Sequence, residues 1–174
     1  ALALSLVSSH LALAPVAERQ VFAHKLCVLT IPPDAGLGLL QTSIHEVWAR
    51  KYASTPETRL NYSPSDCFET FPFPTELSSL EDIGERYHEH RKQMMMATKL
   101  GLTKTYNRFH SEKDQAADVV TLRRLHVEMD EAVAKAYGWS FALEHGFHPT
   151  KQGVRYTISE GARRRVLDEL LKLN

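Results

Sequence analysis

The chain has 174 residues, 21 basic and 21 acidic side chains, and 43% hydrophobic residues. A chain of this size and composition can bury about two thirds of its unfolded surface, so extensive disorder is excluded. A formal net charge of zero argues against a nucleic-acid binder held by bulk electrostatics, because phosphate contacts need an excess of Lys and Arg somewhere on the surface. Any such binding must depend on a local basic patch.

Charge density divides the chain into two parts. Residues 1–75 hold five basic and six acidic side chains, whereas residues 76–174 hold 16 and 15. The first part is predicted to form strands near Leu2–Leu6, at Val21 and from Leu26 to Ile31, stopped by Pro32 and Pro33. Apolar residues at three- and four-residue intervals predict one helix from about Gly36 to Tyr52.

The segment 62–74 contains three prolines and three phenylalanines, which argues against a regular helix. It is interpreted as an ordered extended arm. In the favoured interpretation its phenylalanines pack on the core as an aromatic strap that joins two lobes. In the alternative they form a platform on which nucleic-acid bases stack.

The second part is predicted to be mainly helical. One helix begins after Ser78 and Ser79, in the manner of a capping box, and ends near Gly101. A second runs from about Ala116 to Tyr137, with Gly138 as its stop, and Ser159 caps a last helix after a short strand, 154–158. The fold class is α+β, with a strand-and-loop lobe containing one helix followed by a lobe of about three helices and a short strand.

Neither a catalytic site nor a metal site is predicted. His88 and His90 are two apart on a helix and point in different directions, whereas His145 and His148 form a single ligand pair in a loop, which is weak evidence. No nucleophile elbow and no glycine-rich phosphate loop occurs in the sequence. A small free enzyme that uses these histidines is therefore the least favoured hypothesis.

Cysteine usage and hydropathy bear on the compartment. Cys27 and Cys67 have no paired neighbour, which predicts a reducing, cytoplasmic environment, and no apolar run approaches the about 20 residues of a membrane span. No membrane partner is expected. The chain lacks an initiating Met and starts in an apparent strand, which predicts a piece of a longer protein.

The strongest local basic run lies between Arg86 and Arg108, where six basic residues face one acidic residue, Glu89. It forms either a solvated helix face with a loop or a nucleic-acid contact surface. The triplet Arg163–Arg164–Arg165 is a lesser candidate, because Asp168 and Glu169 follow it closely enough to pair with it.

Five blocks of sequence, in order and at sensible spacing, resemble the C-terminal part of MmeI-like restriction-modification DNA methyltransferases. They cover nearly the whole chain: SIHEVWA at 43–49, YSPSDCFETFPFP at 62–74, LEDIGERYHEHR at 80–91, GLTKTYNRFH at 101–110 and LRRLHVEMD at 122–130. The resemblance implies that residues 1–75 are the latter half of a target recognition domain and that residues 76–174 are the C-terminal helical region.

The same resemblance implies a function. The chain is expected to be a DNA-recognition and scaffold fragment of a bacterial N6-adenine DNA methyltransferase, inactive by itself, since the family's catalytic motif, S-adenosylmethionine loop and nuclease carboxylates match nothing in the sequence. The cofactor S-adenosylmethionine and the methyltransferase domain of the same polypeptide are expected in the parent enzyme. The alternative is a structural module that packs on that domain without touching DNA.

Candidate DNA contacts come from charge alone, because the resemblance assigns no contact residue by residue. The resemblance implies double-stranded DNA as the partner. Phosphate contacts are predicted at five positions, with three weaker base or backbone candidates: Lys99, Lys104, Arg108, Lys151 and Arg155, then Arg50, Lys51 and Arg59.

Overall fold

The computed structural model describes residues 1–17, 19–53 and 58–174. It confirms the α+β class. The α-helices within these ranges are α1 (Pro33–Leu40), α2 (Ser43–Tyr52), α3 (Glu81–Thr98), α4 (Leu102–Phe109), α5 (Ala117–Ala136) and α6 (Glu160–Leu173). The strands are β1 (Leu2–Ser5), β2 (Val7–Ser8), β3 (Ala14–Pro15), β4 (Leu26–Leu29), β5 (Leu60–Asn61), β6 (Gly146–Thr150) and β7 (Gly153–Thr157).

The strands form small antiparallel sheets, ordered β3-β1-β4, β2-β5 and β6-β7. In β4, Cys27 and Leu29 are buried whereas Leu26 and Val28 are exposed, which is the alternation of a sheet with one covered face. The predicted strand at Val21 is wrong, because that residue lies in a loop.

The single helix predicted from Gly36 to Tyr52 is two helices. The chain breaks at Gln41 and Thr42, and Thr42 caps α2 by accepting a hydrogen bond from the backbone N–H of His45 at 3.2 Å. The Gln41 side chain accepts from Leu13 N and donates to Leu11 O, at 2.8 and 2.7 Å. The break therefore lets side chains at the helix junction hold the loop after β2.

Most of the segment 62–74 packs on the core, as the favoured interpretation predicts, but Phe73, one of its three phenylalanines, is 36% exposed. Tyr62 and Cys67 are fully buried and Phe71 is 4% exposed. One π-helical turn occurs within it, Pro64–Phe68, although no regular helix was expected. Tyr137 ties the strap to the end of α5 by donating to Pro72 O at 2.6 Å.

The helix α3 begins without the predicted capping box. Glu76 accepts from the N–H and hydroxyl of Ser78, and a 3₁₀ turn, Ser78–Leu80, leads into α3. After α3 ends at Lys99 in the left-handed region, with φ of 57°, the chain forms α4, which the sequence reading assigned to no helix. The second part therefore contains four α-helices among the described residues rather than about three.

The last two helices follow the sequence closely. In α5 the predicted inward residues Val119, Leu122 and Met129 have no exposed surface, and Gly138 follows with φ of 77°. Ser159 caps α6 by accepting from Ala162 N at 3.1 Å. The strand β7 forms as predicted, and its partner β6 is an additional strand.

A buried polar cluster fixes α2 against α5. Asp130 accepts from Ser43 N at 2.7 Å, and its second oxygen pairs with His145 Nε2 at 2.7 Å. The Ser43 hydroxyl meets His126 Nε2 at 2.9 Å. These contacts, with one hydrophobic core shared by both parts of the chain, set the position of α2 relative to the hairpin β6–β7. No helix in the described residues is long and apolar enough to cross a membrane.

Candidate nucleic-acid interface

A cleft of about 700 Å³ opens between α2, the approach to β5, the hairpin β6–β7 and α6. We call it the basic cleft. Seven basic side chains line it against two acidic ones, Glu46 and Glu160: Arg50, Lys51, Arg59, Lys151, Arg155, Arg163 and Arg164. Five of the eight predicted DNA-contact residues thus converge on one concavity, although they come from three separate regions of the sequence.

The floor of the basic cleft is an ion-paired group. Glu46 Oε1 lies 2.9 Å from Arg50 Nε and 3.6 Å from Arg155 Nη2. Arg50 also donates to Ser9 O at 3.2 Å. Burial alone would raise the pKa of Glu46, but the guanidinium groups of Arg50 and Arg155 outweigh it and hold that pKa at about 2. These two arginines are therefore held in place with one carboxylate between them.

Two histidines lie behind Arg155, which is 7% exposed. Its Nη2 donates to His10 Nδ1 at 3.2 Å and to His110 Nε2 at 2.9 Å. Burial, reinforced by the positive charge of Arg155, lowers the pKa of His110 to about 2. Burial also lowers the pKa of His10, so both rings are neutral near pH 7. A neutral ring accepts through one nitrogen only, so His110 accepts either from Arg155 at Nε2 or from the N–H of Tyr156, which lies 3.1 Å from its Nδ1.

This arrangement predicts acid sensitivity. The pKa of His110 falls from an ordinary 6.5 and that of Glu46 from 4.5, so the stability each contributes is complete above its ordinary value and is lost as the pH falls. We expect the free energy of unfolding in urea to decrease by about 1 kcal/mol or more per pH unit below about pH 6.5. His110→Asn should reduce this slope, whereas the exposed substitution His24→Ala should not. Stability that rises on acidification would contradict the assignment.

The rim of the basic cleft carries the available charge. Lys51 and Lys151 are exposed and make no ion pair with any residue in the described ranges, and Arg59 is also exposed. Arg163 donates to the carbonyls of Ile158 and Pro149, at 3.3 and 3.1 Å, which leaves its charge uncompensated by a carboxylate there. Arg164 pairs with Glu160 at 2.7 Å, but both side chains are largely exposed, so that pair is weak.

The other three predicted contacts lie elsewhere. Lys99 ends α3 and Lys104 is on α4; both are exposed and neither lines the basic cleft. Arg108 is held by two carboxylates, with its Nε 2.7 Å from Asp114 and its Nη2 2.9 Å from Asp118. Hydrogen bonds to Asp118 and Asp114 raise the pKa of Arg108. All three stay predictions, and much of the Arg108 charge is compensated within the chain.

The fold pairs or buries three of the six basic residues in the run from Arg86 to Arg108, whereas Lys92, Lys99 and Lys104 stay exposed. Arg86 pairs with Asp82 at 2.8 Å and with Glu128 on α5. Arg91 is 2% exposed and donates to Tyr106 OH and Leu13 O, at 2.9 and 2.6 Å. The three arginines of the run are thus held by carboxylates or by the core, and the positive charge that this surface exposes comes from its lysines.

No nucleophile or metal centre is assembled in the described parts of the chain. Ser43 and His126 are in contact, but they are 2% and 5% exposed, and Asp130 lies on the same imidazole nitrogen as the serine, so a catalytic triad is not formed. His145 is bound by Asp130, and His148 Nε2 meets Glu144 O at 2.8 Å. Within the described ranges no three His, Cys, Asp or Glu side chains could share a metal ion.

The sequence marks Arg163 and Arg164 only as lesser candidates for DNA contact and does not predict that they line the basic cleft. The sequence does contain a signal for these two residues, because an arginine triplet follows directly on the capped start of α6. What the sequence could not show is that α6 packs beside α2. The register Thr150 with Gly153 then places Lys151 and Gln152 at the tip of the hairpin on the same rim.

The fold belongs to the α+β class, and its structure is similar to part of a solved enzyme. No protein-family model matches the chain, and no curated protein matches it by sequence. The structure of the type IIL restriction-modification enzyme MmeI in complex with DNA is similar to it over 99% of this chain, with a TM-score of 0.62 and 17% identity. The match covers 20% of the MmeI chain, so this protein spans about a fifth of that enzyme's length. The chain therefore has a fold found within a restriction-modification enzyme.

Proposed function

We propose that this chain is the DNA-recognition and scaffold portion of a bacterial restriction-modification N6-adenine DNA methyltransferase, and that it is not catalytic by itself. The basic cleft carries the proposal, because seven cationic side chains converge there against two carboxylates. Such an excess of positive charge in a concave surface suits the phosphate backbone of duplex DNA. The similarity to part of MmeI, which was solved with DNA, supports the same function.

The remaining expectations are part of this proposal. Residues 1–75 form the latter half of a target recognition domain and residues 76–174 its C-terminal helical region. The methyltransferase domain of the same polypeptide is the partner that binds S-adenosylmethionine and supplies the chemistry. In this arrangement the chain holds the duplex while the target adenine leaves the base stack.

Salt dependence tests which surface binds DNA. We expect Lys51→Ala/Lys151→Ala to weaken binding to a fluorescent duplex and to reduce the slope of log affinity against log salt by about 1.8, since each lost phosphate contact removes about 0.9. Both side chains are exposed, so the fold should be unaffected. Fluorescence anisotropy across a salt series measures the slope.

The matched variant is Lys99→Ala/Lys104→Ala, which removes two exposed lysines outside the basic cleft. It should leave the slope close to that of the unmodified chain. If this variant alone flattens the slope, the duplex lies along α3 and α4 and the basic cleft is not the interface. If the unmodified chain binds no duplex at low salt, direct DNA recognition by this chain is wrong.

A structural module is the second candidate, favoured by one observation. The strand β4 is at the edge of its sheet and exposes Leu26 and Val28 at 37% and 40%. An apolar sheet edge of this kind suits burial against another domain. This candidate predicts that Leu26→Lys/Val28→Lys abolishes association with the methyltransferase domain, while duplex binding by the chain is absent throughout.

A further inference from the structure

The hairpin formed by β6 and β7 is a two-stranded ribbon with an exposed tip. The strands pair from Gly146 with Thr157 to Thr150 with Gly153, and Lys151 and Gln152 form the turn. Gly153 has φ of 94°, a conformation that side chains with a Cβ rarely adopt. No third strand pairs with the ribbon in the described ranges. Its two strands therefore pair only with each other there, and Arg163 of α6 contacts the ribbon near its tip, at Pro149 O.

The base of the ribbon is held rigidly by two buried arginines on different sides. The guanidinium of Arg123 lies 5.0 Å from the ring centre of Phe147 and 5.6 Å from that of Tyr156, rings that are themselves in edge contact. Arg155 reaches from β7 into the pair of neutral histidines behind the basic cleft. Such support on both sides fixes the direction in which the tip points.

The tip differs from its base in exposure and charge. Pro149, Lys151 and Val154 are exposed, with Val154 at 55%, and Gln152 is half-buried at the cleft rim. The sequence from 145 to 159 contains no Asp or Glu. A positively charged ribbon without acidic residues can approach the phosphate backbone closely, since nothing in it repels the phosphates.

We propose that the tip of this ribbon, residues 149–154, enters the major groove of the duplex and reads base edges there. The inference rests on the proposed function and adds, from the C-terminal region, an element that contributes to sequence discrimination beside the target recognition domain. A two-stranded β-ribbon fits the major groove, which is about 12 Å wide, and not the minor groove, which is about 6 Å wide. The amide of Gln152 can pair with an adenine edge, Val154 can contact a thymine methyl group, and Lys151 can reach a phosphate or guanine.

Disulfide crosslinking tests the position of the tip directly. The native thiols Cys27 and Cys67 are 7% and 0% exposed, so an introduced surface cysteine is the accessible one. The full chain carrying Gln152→Cys would be incubated with duplexes of mixed sequence that bear an activated thiol tether. The tether is placed on the N4 amine of cytosine in the major groove, on the N2 amine of guanine in the minor groove, or on a phosphate.

We expect crosslinking to the major-groove tether to be about tenfold faster or more than to the minor-groove or phosphate tether, because binding raises the effective concentration of one thiol near the other. Val154→Cys, a second exposed position on the tip, should behave in the same way. Lys99→Cys, exposed but outside the basic cleft, should crosslink slowly to all three. Anisotropy with an untethered duplex would confirm that each variant still binds.

The outcomes separate the two proposals. If the variants bind duplex but prefer the minor-groove or phosphate tether, or show no preference, insertion of the tip is wrong and the proposed function stands. If Val154→Cys and Gln152→Cys disagree, a single entering tip is also wrong. If the unmodified chain binds no duplex, the proposed function fails and this inference fails with it.

Discussion

Gly84→Ala should destabilise the protein by about 3 kcal/mol, at the upper end of the cost of overpacking a core. A Cβ built on Gly84 in α3 would lie 2.0 Å from Asp34 O and 3.0 Å from Gly38 N, both backbone atoms of α1. Backbone atoms cannot rotate away as a side chain can, so α1 and α3 would have to separate. The higher helix propensity of Ala, worth about 1 kcal/mol, does not offset this.

Urea denaturation measures the effect, with Gly161→Ala as the matched control. Gly161 lies in the first turn of α6, and nothing comes within 4 Å of a Cβ built there. That variant should match the unmodified chain or gain about 0.5 kcal/mol. If Gly84→Ala also lay within about 0.5 kcal/mol of the unmodified chain, the close contact between α1 and α3 would be refuted.

Arg123→Ala should cost about 3 kcal/mol, because several backbone carbonyls would lose a charged hydrogen-bond donor and an unsatisfied buried group costs about 1–3 kcal/mol. Arg123 is 5% exposed and donates to four carbonyls, two in the last turn of α4 and two just beyond it. The distances are 2.9 Å to Phe109 O, 2.8 Å to Asp114 O, 2.8 Å to Ser111 O and 3.2 Å to Arg108 O. Without the guanidinium these carbonyls, buried or partly buried, lose their donor, and the rings of Phe147 and Tyr156 lose a neighbouring cation.

The adjacent residue supplies the control, since Arg124 is exposed. Arg124→Ala should change stability by no more than about 0.5 kcal/mol. Arg123→Lys keeps the charge but not the planar fork, and it should remain clearly destabilised because an ammonium cannot reach four carbonyls arranged around a guanidinium. If Arg123→Lys and the unmodified chain had the same free energy of unfolding, charge alone would matter at this position.

A milder disturbance at Arg123 also bears on function. The same guanidinium supports the base of the hairpin whose tip we place in the DNA groove. If Arg123→Lys folds, the tip should be less well oriented, and the preference for the major-groove tether should decline more than overall duplex affinity does. This result would distinguish the effect of Arg123 on the orientation of the ribbon from the effect of the positive charge in the basic cleft.

Helices with strong local signals were predictable from the sequence. The apolar period of α5, the stop at Gly138 and the cap at Ser159 each depend on residues within a few positions of one another. Such local interactions persist wherever the helix packs, so the sequence alone specifies them.

Elements defined by distant partners were not predictable in this way. The apolar period runs on through Gln41 and Thr42, and the break there depends on contacts with Leu11 and Leu13, about 30 residues earlier. The helix α4 is only eight residues long. Its last carbonyls, those of Arg108 and Phe109, are capped by Arg123, which donates to them from α5. The strand β6 contains Gly146 and Pro149, which weaken any strand signal, and it forms by pairing with β7.

The sequence by itself determined the α+β class, the main helices and the equality of positive and negative charge. The tertiary structure decided which charges are available to a partner. It buried Arg91, paired Arg86 and Arg108 with carboxylates on or near α5, and brought residues 50, 59, 151 and 163 to one cleft. The physical reason is that a charge is compensated by whatever lies within a few ångströms of it in space, and only the folded chain defines those neighbours.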